Sequence, residues 1–167
     1  MAKPTSPPLR VRFTRVSPTR HRIEWGTRPP FAARELETRS TLLHDLVHFA
    51  VESEAGLRES FYGLLAQGAS YTELTQVGTN MAANLELAMT EMVVGALQGA
   101  WKQDFDPARF LATLNGYLRQ LGSTTPPWLT VELLDRIGKR LRALTGAWGG
   151  TKFGDTLELS FPAESGR

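Results

Sequence analysis

The chain has 167 residues, 41% of them hydrophobic and 22% charged, and it contains no cysteine. That length and composition suit one folded domain with a real core. The missing cysteine excludes disulfides, thiol catalysis and cysteine-ligated zinc, and no run approaches the ~18 apolar residues of a membrane span.

Charge is unevenly spread. Residues 1–39 hold nine Lys/Arg and three acids, residues 40–104 hold two bases and eight acids, and the remainder carries +2. Such asymmetry points either to an anionic partner or to Arg-rich strands pairing with the acidic middle of the same fold. The start, "MAKPTSPPLRVRF", has no apolar signal core of ordinary length, so a cytoplasmic location is expected.

Residues 1–8 read as a disordered lead-in, 9–162 as a single domain and 163–167 as a disordered tail. Leu9, Val11 and Phe13 alternate with Arg10 and Arg12, and Ile23 and Trp25 alternate with Arg20, Arg22 and Glu24. With Ser-Pro between them, these runs predict a β-hairpin that packs one face and shows arginines on the other. His21 falls in phase with the packed face. "GTRPPFAARELETRS" reads as a connector. A helix is expected over about 40–54, stopped by Gly56, and a second over "LRESFYGLLAQG". A third covers about 72–103, with an interruption near "VGTN". Asp106 and Pro107 mark the start of a fourth, and "LTVELLDRIGKRLRALTGAW" forms a fifth. "TLELSFP" alternates as a last strand. The predicted class is α+β: a small antiparallel sheet of about three strands from the two chain ends, packed with four to five helices.

The stretch "TLLHDLVHFAVESE" carries the chemistry. At ~100° per residue, His44, His48, Glu52 and Asp45 share a stripe about 100° wide, while Leu, Val, Phe and Ala cover the rest. No Lys or Arg lies between Ser40 and Glu54, as expected of a helix that lines a pocket. Imidazoles four residues apart can share one ion, with zinc or another divalent metal as the expected cofactor. Glu52 lies about 12 Å along the axis from His44, too far for the same ion, and is better placed to hold the His48 ring. A third ligand must come from elsewhere. Glu91 is the first choice, because Asn84, Glu91 and Gln98 recur every seven residues as a polar seam on an apolar helix. His21 is the second. Tyr62 and Tyr71 are candidates to line the same pocket. The catalytic candidates are Asp45 and Glu52, and a metal-dependent hydrolase is the enzyme class they suggest.

Two further readings stand beside this one. The stripe can be a buried polar network with no metal. The arginine face (Arg10, Arg12, Arg20, Arg22) can meet nucleic acid or an acidic partner, with no role for the membrane. P-loop, dinucleotide-binding and nucleophile-elbow motifs are absent from the sequence.

The spelling "HDLVH" is similar to the zincin motif H-E-x-x-H with Asp in place of Glu. That resemblance covers five residues. It makes His44 and His48 ligands and puts Asp45, one methylene shorter than Glu, where the general base sits. The longer run "LLHDLVHFAVESEAGLRESFYGLLAQG" resembles a group of uncharacterised bacterial proteins. They share an H-D-L-x-H-x-x-x-E helix followed by an aromatic-Gly-Leu-Leu helix, matched here by His44, Asp45, Leu46, His48, Glu52, Tyr62, Gly63, Leu64 and Leu65. This resemblance implies a small cytosolic bacterial protein and brings no activity with it.

Overall fold

The computed structural model describes residues 7–76, 84–101 and 104–162. The predicted tail, most of the lead-in and the "VGTN" interruption lie outside the described residues. Three strands form a meander: β1 (Leu9–Arg15), β2 (Arg20–Gly26) and β3 (Ala32–Glu37). β4 (Thr156–Phe161) completes an antiparallel sheet of order β3-β2-β1-β4. The α+β class is as expected, with one strand more than predicted. β3 comes from the stretch read as a connector.

The register explains the hairpin. Phe13 faces Ile23 on one side and Leu157 on the other, and Val11 faces Trp25 and Leu159. Strand alternation therefore turns Leu9, Val11, Phe13, Ile23 and Phe161 to one face, where each is at most 1% exposed. Burying each such side chain contributes about 1.5–3 kcal/mol. The other face is a charge ladder. Arg12 pairs with Glu24 and Glu158, Arg10 with Glu158, Arg22 with Glu24, and Arg20 with Glu35. The partners of these arginines are glutamates of the sheet itself, not the acidic residues of the middle segment.

Six helices are described: α1 (Thr38–Ala55), α2 (Phe61–Ala66), α3 (Tyr71–Thr75), α4 (Leu85–Trp101), α5 (Pro107–Gln120) and α6 (Val131–Gly149). Within the stretch expected as an interrupted helix over 72–103, the described residues form two helices, α3 and α4. α1 starts earlier than predicted because the Glu37 carboxylate caps the Arg39 and Ser40 amides, and it ends at Gly56 in the left-handed region. α5 begins as read, with Asp106 accepting the Arg109 N–H at 2.7 Å and Pro107 in the first turn. α1 packs against α4 and α6, so one side of it faces the polar seam of α4. α2 lies on the sheet, below α1. Gly95 and Gly99 do not mediate a close helix approach, since a Cβ at either would meet nothing within 4 Å.

Candidate metal centre

α1 buries Asp45, His48 and Glu52 along with its apolar face, and the His stripe turns toward α4. There His44, His48 and Glu91 converge, with one ligand atom from each lying within 4.8 Å of the others. His48 Nε2 is 3.0 Å from Glu91 Oε1, and His44 Nε2 is 3.9 Å from Glu91 Oε2. The two rings stand edge to face, 4.8 Å apart. The structure thus brings the first-choice third ligand to the histidine pair.

The far side of each ring is held by an acceptor. His44 Nδ1 lies 3.1 Å from the side-chain oxygen of Gln98, the last member of the α4 seam. An amide oxygen only accepts, so Nδ1 carries the proton and Nε2 holds the lone pair. His48 Nδ1 lies 3.0 Å from Glu52 Oε1 and is likewise an N–H donor to it. Both imidazoles therefore present Nε2 to one carboxylate. At His48 the 3.0 Å separation from Glu91 is short, yet the ring nitrogen is not aligned on that oxygen for a hydrogen bond. A lone pair facing a carboxylate is repulsive unless a cation, either a proton or a metal, lies between them.

Glu52 is a supporting residue. It is fully buried, and its second oxygen accepts the Tyr62 N–H at 2.9 Å and the Gly63 N–H at 3.3 Å. Those amides open α2. Glu86 of α4 anchors the turn before them by accepting the Arg58 and Glu59 N–H groups, and Ser60 bonds Thr90 at 2.8 Å. Gly63 is required there because a Cβ would run into the Arg58 backbone. The Glu52 carboxylate is wholly buried and engaged by the His48, Tyr62 and Gly63 donors.

Charges follow the packing. Burial opposes charge on His48, but the hydrogen bond to Glu52 and the nearby Glu91 outweigh it and raise the ring to about 9. Burial lowers His44, and the neighbouring His48 lowers it further. Burial works against charge on Glu91, yet His48 and His44 hold it below the usual carboxylate range. Asp45 is 5% exposed, and burial, reinforced by Glu91, pushes it up to about 7. Its Oδ2 is buried with no hydrogen-bond partner among the described residues.

His21, the second-choice ligand, is elsewhere. It sits between Phe13 and Trp148, with Nδ1 3.1 Å from the Thr38 hydroxyl, and burial lowers it to about 4. Tyr62 and Tyr71 stand behind the site and not in it: the Tyr62 hydroxyl donates to the Asp45 carbonyl, and Tyr71 packs on Trp25 and Phe61. Asn84 caps α4 through the Leu87 N–H. A cavity of about 350 Å³ opens beside the centre, bordered by His44, Asp45, His48, Phe61, Leu87 and Glu91 among others. Sequence reasoning missed Phe61 and Leu87, whose only signal was helical spacing. No helix among the described residues is long and apolar enough to cross a membrane.

The chain matches no family model, no curated protein and no solved structure.

Proposed function

We propose that the protein binds a divalent metal, zinc in the first instance, through His44, His48 and Glu91, and that it is a metal-dependent hydrolase. One observation carries the reading: both histidines are held through Nδ1 so that their Nε2 atoms face the same carboxylate. A two-imidazole, one-carboxylate set suits zinc with a fourth position left open. Zinc at ~2.0–2.1 Å from each ligand needs the ligand atoms about 3.3–3.5 Å apart, closer than the 4.8 Å limit seen here. His44 and Glu91, whose side chains are 37% and 26% exposed, can move inward, while His48 at 1% stays fixed.

A bound zinc supplies Lewis acidity and lowers the pKa of a coordinated water. The chain's own part is division of labour. Glu52 orients His48 and strengthens it as a donor, and Gln98 does the same for His44. Asp45 borders the cavity beside the centre and, in this reading, is the proton acceptor.

Zinc titration of the purified protein tests the reading. We expect about one equivalent bound, lost in the His44→Ala/His48→Ala double variant. Protein that takes up no zinc when zinc is supplied and chelator is absent overturns it. The raised His48 favours a second reading, in which a protonated His48 bridges Glu52 and Glu91 as a structural network. In that case His48→Ala destabilises the fold, and no metal is bound by either protein.

A further inference from the structure

The cavity next to the centre has a divided lining. One end holds His44, Asp45, His48 and Glu91, and the other is Phe61, Leu74 and Leu87, with Thr75 and Gln76 also at its border. The apolar wall is firm. Phe61 and Leu87 are 4% and 2% exposed, and the Phe61 ring lies 5.4 Å from that of His48, at the boundary between the two ends. No Lys or Arg is among these lining residues, so beyond the metal itself no cationic side chain there meets a phosphate or a polyanion. The volume of about 350 Å³ equals roughly twelve waters at ~30 Å³ each, room for a ligand of about that many non-hydrogen atoms. Asp45 supplies the second polar contact. Its Oδ2 is a buried acceptor without a donor among the described residues, and an incoming O–H or N–H relieves it.

Resting on the metal reading above, we propose that this cavity takes a small uncharged molecule with an apolar body, a short alkyl or aryl group. The ligand carries one oxygen for the metal and an adjacent O–H or N–H for Asp45. Its apolar part lies on Phe61, Leu74 and Leu87. Large sugars are excluded by size, and phosphorylated compounds are disfavoured by the lack of a basic side chain among the described lining residues.

Hydroxamic acids present this pair of groups and serve as probes. Zinc-loaded and zinc-free protein are titrated calorimetrically with benzohydroxamic acid and with acetohydroxamic acid, whose chelating heads are the same. We expect binding to the zinc-loaded form only, with the aryl compound at least tenfold tighter. Leu87→Trp, which fills the apolar end, should abolish that preference while zinc affinity stays within about threefold, and Leu74→Phe provides a milder second filling. Asp45→Ala should weaken both compounds at least fivefold. Equal affinities for the two hydroxamates, or a preference that survives both filling variants, overturn the ligand assignment and leave the zinc site standing. Failure to take up zinc overturns both.

Discussion

Glu52→Gln offers the sharpest test of how the centre is built. The two side chains have nearly the same shape, so packing is kept. The Gln oxygen can still accept the Tyr62 and Gly63 N–H groups, now met by Glu52 Oε2 at 2.9 and 3.3 Å. Its NH₂ group then takes the place of Oε1, 3.0 Å from His48 Nδ1. An NH₂ group only donates, so His48 must turn Nδ1 into an acceptor and carry its proton on Nε2. That N–H faces Glu91, and a metal can claim Nε2 only if the proton moves to Nδ1, where the NH₂ group opposes it. Losing such a supporting carboxylate costs about 10–100-fold in metal affinity, or about 1.4–2.7 kcal/mol. Metal-free stability should fall by only about 1 kcal/mol, because each hydrogen bond is replaced by another. Glu52→Ala is the contrast. It strands three buried N–H donors at about 1–3 kcal/mol each and should lose most of the 5–15 kcal/mol typical of a domain. Calorimetric zinc titration and guanidinium unfolding read the two quantities separately. Zinc affinity in Glu52→Gln within twofold of the parent would refute the tautomer argument.

Other consequences can be measured directly. His48 is raised to about 9, so zinc must displace a proton below that pH; affinity should climb about tenfold per pH unit from pH 7 to 9, with proton release visible across buffers of different ionisation enthalpy. The same raised value favours the metal-free fold below pH 6.5, a contribution that fades as pH rises through about 9. His21 is the opposite case. Lowered to about 4, it must charge on unfolding, so its contribution is complete above pH 6.5 and is lost as pH falls toward 4; the melting temperature of His21→Phe should depend less on pH across that window. Gly63→Ala should destabilise by about 2–3 kcal/mol, since its Cβ meets the Arg58 backbone and nothing there can swing away; an unchanged denaturation midpoint would contradict that packing.

Much of the centre was legible because helices repeat. The four-residue spacing of His44 and His48, and the seven-residue spacing of Glu91 and Gln98, each put chemistry on one face, and the two faces meet. Glu52 as the partner of His48 followed from the same geometry. What helical spacing does not encode is support from other elements. The amides that hold Glu52 come from α2, placed by the Glu86 anchor on α4, and no local pattern announces a turn held from a distance. β3 escaped for a different reason. "AARELE" has no period-two apolar run, because an edge strand needs only one anchored neighbour, and Leu36 is its main inward contact. Its Arg and Glu residues are what a sheet edge carries to discourage further pairing. Asp106 and Pro107 marked α5 accurately because capping is local chemistry.

The sheet order also says something about how the chain is made. β1 is an inner strand only because β4 lies beside it, and Thr14 and Thr156, joined at 2.7 Å, are 142 positions apart in sequence. During synthesis the meander β1-β2-β3 can assemble early, but β1 then waits with one row of N–H and C=O groups bare until β4 leaves the ribosome. An open edge of that kind is a template for pairing with another chain, and distant pairing is slow. Fragments that stop before Thr156 should therefore aggregate through β1, whatever the state of the histidine cluster. A chaperone that shields this nascent protein has most reason to hold the edge of β1.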